Sequence, residues 1–115
     1  MTGLLVNATT GQVIAENVRY ADTVWLRLAG FIPKAYVDPD EGLWFRDCGA
    51  IHTLLMRATI DVLFLDKEGR VLRTMQNVPA QRPIVGCAGA RNVVELGAGA
   101  LEGRDVLVGD RLALQ

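Results

Sequence analysis

Asp61 is the one charged residue in the run Ile60-Asp61-Val62-Leu63-Phe64-Leu65. On an extended chain its side chain shares a face with Leu63 and Leu65, so a carboxylate there lies against apolar neighbours and needs a donor. Arg57, four residues earlier, is the nearest donor in sequence. A structural ion pair is the default reading of the two, because such pairs perturb titration without catalysing anything. A carboxylate facing a ligand is the alternative. Glu95 interrupts Val93-Val94-Glu95-Leu96 in a similar way and is expected at a strand edge or site rim. If Asp61 and Glu95 converge, the two carboxyls could divide acid and base work between them.

His52 is the only histidine. If residues 51–56 are extended it shares a face with Leu54 and Met56, which makes a hydrogen-bonded core or wall histidine the default and a general base the alternative. Cys48, His52 and Cys87 could present three zinc ligands, but no Cys-x-x-Cys pair and no fourth ligand accompany them, so no metal is expected. A Cys48 nucleophile with His52 as its base is weak for a different reason: residues four apart on one strand point the same way without touching. The glycines at 97, 99 and 103 miss the dinucleotide fingerprint, since Glu102 stands where the third must be. Neither a cofactor nor a phosphate cradle is implied.

The elements that must position these residues are mostly strands. Residues 3–7 and 12–18 flank the Thr9-Thr10-Gly11 turn and form a hairpin, and Asp66-Lys67-Glu68-Gly69 turns the buried run 60–65 back into residues 70–75. The run 60–65 is expected to be a central strand covered on both faces. Asp22 or Thr23 can cap a helix of about two turns carrying Val24, Trp25 and Leu28. Asp38-Pro39-Asp40-Glu41-Gly42 is turn chemistry ahead of a strand at Leu43-Trp44-Phe45. Residues 93–96 and 111–114 supply two more strands, separated by a glycine-rich loop or helical turn over 97–103. The class is mainly β: a compact single domain over 1–115, a sandwich or barrel of short antiparallel strands with one or two short helices.

Composition narrows the function. The chain has 115 residues, 50% of them hydrophobic, and twelve basic against thirteen acidic side chains, for a net charge of −1. No basic run exists, so nucleic acid is not expected as a partner. The longest uncharged stretch, residues 1–15, is broken by Asn7, Thr9, Thr10, Gly11 and Gln12, which argues against a membrane span; it also lacks a basic n-region, which argues against a secretory leader. Two cysteines are too few for a disulfide framework, and a cytoplasmic, reducing location with two buried thiols is the expectation.

Cys48-Gly49-Ala50-Ile51-His52-Thr53, then Met56-Arg57, then 60–66 with Gly69, resembles the domain-of-unknown-function family 192, also called UPF0127. Val93-Val94-Glu95-Leu96 with Ala98-Gly99, and Val108-Gly109-Asp110-Arg111-Leu112, continue the likeness at matching order and spacing; Thr59 stands where many members carry proline. The resemblance implies a mainly β, sandwich-like fold and supplies no reaction or substrate. Three functions follow from the residues themselves. The first is a non-catalytic module or accessory domain binding a small polar or anionic ligand near His52, Arg57 and Asp61, with Glu95 as a further candidate. The second is a hydrolase-like enzyme using His52 with Asp61 and Glu95. The third is a protein–protein module with an apolar surface around Trp25, Phe31 and Trp44.

Overall fold

Two strongly apolar runs of the chain become neighbouring interior strands of one sheet, flanked on both sides and covered on both faces. These are β5 (Ile60–Leu65) and β8 (Asn92–Gly97). The computed structural model describes residues 2–23, 30–32, 34–53, 56–82 and 84–115. The helix expected around Val24, Trp25 and Leu28 lies outside them. The other strands are β1 (Gly3–Asn7), β2 (Val13–Tyr20), β3 (Glu41–Arg46), β4 (Ala50–Ile51), β6 (Val71–Val78), β7 (Val85–Gly86) and β9 (Leu112–Leu114). Of these nine strands among the described residues, seven form a sheet in the order β6-β5-β8-β3-β2-β1-β9, and β4 and β7 form a second, two-stranded sheet. Among the described residues there is no helix, hence none long and apolar enough to cross a membrane.

Both expected hairpins form. β1 and β2 are antiparallel, and the 66–69 turn joins β5 to β6, with Gly69 at φ 85° and the Asp66 carboxylate accepting from the Glu68 and Arg70 amides. One pairing departs from the antiparallel expectation: β2 and β3 run parallel, in register from Asn17 opposite Glu41 to Tyr20 opposite Trp44. A parallel pair requires a crossover connection, and residues 21–40 supply it.

Alternation along the strands makes two cores. One face of the sheet gathers Leu5, Val18, Trp44, Leu63, Leu65, Val71, Val94, Leu96 and Leu112, drawn from all seven strands. The sheet rolls around this cluster until the residues just ahead of its edge strands β6 and β9 form an isolated bridge, Arg70 to Arg111, but the two strands themselves do not pair, so the roll does not close into a barrel. The other face carries Leu43, Phe45, Ile60, Val62, Phe64 and Val93, covered by Phe31, Val37, Met56, Ala58 and Ala90 from the connections and by Val85 of β7. All six residues of β5 are buried, as its composition predicts.

Gly97 holds the crossover connection against β8. A Cβ at this position would stand 2.2 Å from Asp38 O and 2.3 Å from Val37 O, both main-chain atoms that cannot yield. Gly97→Ala is therefore expected to lower stability by more than about 2 kcal/mol through overpacking. Urea denaturation checks this, and a loss within about 0.5 kcal/mol would show that the connection is free to shift.

Candidate functional site

Asp61 is 1% exposed, and its two oxygens are satisfied by main chain. Oδ1 accepts from the Asn77 amide at 2.9 Å and Oδ2 from the Leu101 amide at 3.0 Å. Asn77, at φ 55°, sits where the register of β5 and β6 slips between Ile60/Val78 and Val62/Met75. Asp61 thus ties a β-bulge to the 98–103 turns. The donors meeting this carboxylate are amides and not the Arg57 guanidinium expected from sequence, because an amide at a bulge is freed from the ladder and costs no side-chain ordering.

Asp61 and Glu95 do not converge. Asp61 pairs with Leu96 and Glu95 with Val62, so the two carboxyls stand on opposite faces of the β5–β8 ladder. Acid and base work shared on one substrate is incompatible with that placement. Glu95 is also no rim residue: it is 4% exposed on the face carrying Leu43, Val62 and Phe45. Its Oε1 has no hydrogen-bond partner among the described residues. Burial pushes its carboxyl up to about 8, which leaves the group neutral at pH 7.

His52 follows the last residue of β4 and is exposed, so the wall position expected from an extended 51–56 is not formed; Leu54 lies outside the described residues. Its neighbour Thr53 is fully buried: Thr53 Oγ1 donates to Pro79 O at 2.8 Å and accepts from the Arg82 amide at 2.7 Å. Arg57 is exposed and borders a groove of about 330 Å³ with Tyr36, Val37 and Ala98. Cys48 and Cys87 are free, half-buried thiols packed against the same apolar cluster. Among the described residues no three His, Cys, Asp or Glu side chains come together to hold a metal.

The larger concavity lies where β2 and β3 run parallel. It is a cleft of about 570 Å³ lined by Asn17 and Arg19 of β2, Glu41 and Leu43 of β3, and Gly30, Phe31, Lys34, Asp38 and Asp40 of the crossover. Most of its charges are already engaged: Lys34 Nζ donates to Glu41 Oε2, Asp40 accepts from the Glu16 amide and Asn17 Nδ2, and Asp38 Oδ1 accepts from the Asp40 amide. Arg19 has no hydrogen bond or ion pair among the described residues, and it stands over the apolar floor of Phe31 and Leu43. Its sequence signal was the alternation Asn17-Val18-Arg19, polar either side of a buried valine, which reads equally well as any solvated strand face.

A model of family DUF192, described as "Uncharacterized ACR", matches residues 5–114. A UPF0127 protein of Pyrococcus furiosus is 33% identical over 116 residues, covering 94% of this chain and 95% of that one. A UPF0127 protein of Thermococcus sibiricus is 28% identical, over 95% of this chain and 73% of its own length. Among solved structures, a Sinorhizobium meliloti protein provisionally described as a transcription regulator superimposes with TM-score 0.80 at 22% identity, covering 99% and 96% of the two chains. A Novosphingobium aromaticivorans protein of unknown function gives 0.79 at 19%, covering 96% and 83%. At these identities the structural likeness is one of fold.

The two carboxyls should answer mutation in opposite ways. Asp61→Ala strands two amides, the one at Leu101 buried, and is expected to cost roughly 2–5 kcal/mol, with the same loss in an Arg57→Ala background, because the guanidinium is not its donor. Coupling above about 1 kcal/mol in that double-mutant cycle would restore the ion pair. Glu95 has a folded-state value raised from 4.5 to about 8. Below pH 4.5 both states are protonated and it carries no penalty; between there and about 8 only the unfolded state ionises, so the parent loses roughly 1.4 kcal/mol per pH unit relative to Glu95→Gln. Paired denaturation curves from pH 4 to 9 measure the difference, and a flat one would mean that Glu95 is charged in the fold.

Proposed function

The chain belongs to the uncharacterised family DUF192, whose description assigns no chemistry, and from its own geometry we propose that it is a non-catalytic module binding a small anionic ligand in the cleft between β2 and β3. The observation that carries this reading is the Arg19 guanidinium, unengaged among the described residues and set over Phe31 and Leu43 while the neighbouring charges are paired or capping turns. A concave site with an apolar floor and a few convergent polar groups is the ordinary form of a small-molecule pocket. A planar guanidinium with open donors suits a carboxylate or phosphate. The ligand class is the one expected near His52, Arg57 and Asp61, but the site is placed elsewhere, since Asp61 is consumed by amides on the opposite face and His52 is exposed beyond β4. A hydrolytic role finds less support, because the two carboxyls it would use face apart.

Titration of the labelled protein with inorganic phosphate and a series of short-chain carboxylates tests the reading by NMR. Saturable shifts are expected at the Arg19, Phe31 and Leu43 amides, with Kd raised at least about tenfold in Arg19→Gln, since a charge-assisted hydrogen bond contributes about 1.5–3 kcal/mol. Shifts confined to His52 and Arg57, or binding unchanged in Arg19→Gln, would move the site away from the cleft.

A further inference from the structure

We infer that the cleft receives a small zwitterion of the free amino-acid class, with its carboxylate on Arg19 and its ammonium on Glu95. The inference rests on the cleft reading above and adds its second pole. Register supplies the geometry. Arg19 is paired with Leu43 across β2 and β3, and Leu43 with Glu95 across β3 and β8, so the three side chains lie in one row on one face of the sheet. Two strand spacings of about 4.8 Å put the Arg19 and Glu95 α-carbons roughly 10 Å apart. Two long side chains reaching toward each other along this row would leave only a few ångströms to bridge, the scale of a carboxylate and an ammonium on one carbon.

The second observation is the state of Glu95. Buried polar atoms are nearly always hydrogen-bonded, and Glu95 Oε1 is the one buried side-chain oxygen or nitrogen among the described residues without a partner. Gly30 borders both the cleft and this oxygen: a Cβ there would lie 3.4 Å from Oε1. The wall over the carboxyl is therefore main chain without a side chain. The acids that line the cleft are occupied, Glu41 by Lys34 and Asp38 and Asp40 by amides, whereas Glu95 stands behind Gly30, outside that lining, with Oε1 unpartnered among the described residues, and an incoming cation would reach it past the Gly30 main chain.

The ligand class follows from these two poles. A simple anion would satisfy Arg19 and leave Glu95 orphaned; a simple amine would do the reverse. A zwitterion satisfies both, because an ammonium brought to Oε1 supplies the charge and donors that apolar surroundings withhold. Phe31 and Leu43 then face the ligand's side chain, which favours an apolar one.

Three probes sharing one carbon skeleton test this: leucine, isocaproate, which lacks the ammonium, and isoamylamine, which lacks the carboxylate. On the parent chain leucine is expected to bind at least tenfold more tightly than either. Glu95→Gln should weaken leucine at least tenfold and leave isocaproate within twofold, whereas Arg19→Gln should weaken both. Equal binding of leucine and isocaproate by the parent, or an equal loss of both in Glu95→Gln, overturns the zwitterion and leaves an Arg19 anion cleft standing. Failure of leucine to bind also overturns it, and if no anion depends on Arg19 the cleft reading falls as well.

Discussion

Successive side chains on a strand face opposite ways, and on β3, β5 and β8 both directions lead into apolar core. A polar residue inside these strands, between ends that reach solvent at Glu41, Arg46 and Asn92, therefore faces desolvation, with no solvent-exposed side to turn toward. The chain places two carboxyls here, one residue apart in register, and the sheet separates them by its own thickness. Asp61 is drawn into structure by a bulge in β6 and a turn after β8, each offering an amide that the ladder does not use. Glu95 meets Leu43, Val62 and Phe45 and stays uncharged.

The parallel pairing of β2 with β3 follows from the same roll. To enter the sheet beside β2 in the same direction the chain must cross over between residues 21 and 40, and Ala21, Phe31 and Val37 of that connection pack on the face opposite the rolled core. Phe31 and Val37 pack down on the sheet, while Gly97, without a side chain, lets the main chain at Val37 and Asp38 come close. What remains beside that contact is the cleft, whose charged rim belongs mostly to the crossover and whose cation without a partner among the described residues belongs to β2. The crossover that the topology requires thus also supplies much of the concavity's lining.

Much of the architecture was legible in the sequence because it depends on local pattern. An apolar run of six at Ile60–Leu65, a four-residue turn ending in Gly69 and the 9–11 turn each specify their element with near neighbours alone. The site was less legible, for reasons that differ by residue. Arg57 is the nearest donor to Asp61 along the chain, but Asn77 and Leu101, sixteen and forty residues away, are the donors in space, and a main-chain amide carries no residue-type signal. His52 was placed by assuming that a strand continues through 51–56; β4 ends at Ile51, and Thr53 instead bonds the 79–82 segment. That Asp61 and Glu95 face apart follows only from the register of β5 on β8, which no local pattern determines.

The contrast between the two carboxyls separates structure from function more clearly than any motif in the chain. A buried acid that holds two amides is explained by the fold, since removing it strands both donors. A buried acid that holds none is not explained that way. Glu95 lies among aliphatic and aromatic side chains that would pack as well against a leucine, and its raised proton affinity makes the fold less stable at neutral pH than an apolar residue would. Local violations of polar satisfaction concentrate where a protein meets something other than itself. Here the violation lies behind a glycine wall, in the same row as an arginine unengaged among the described residues, beside a cleft.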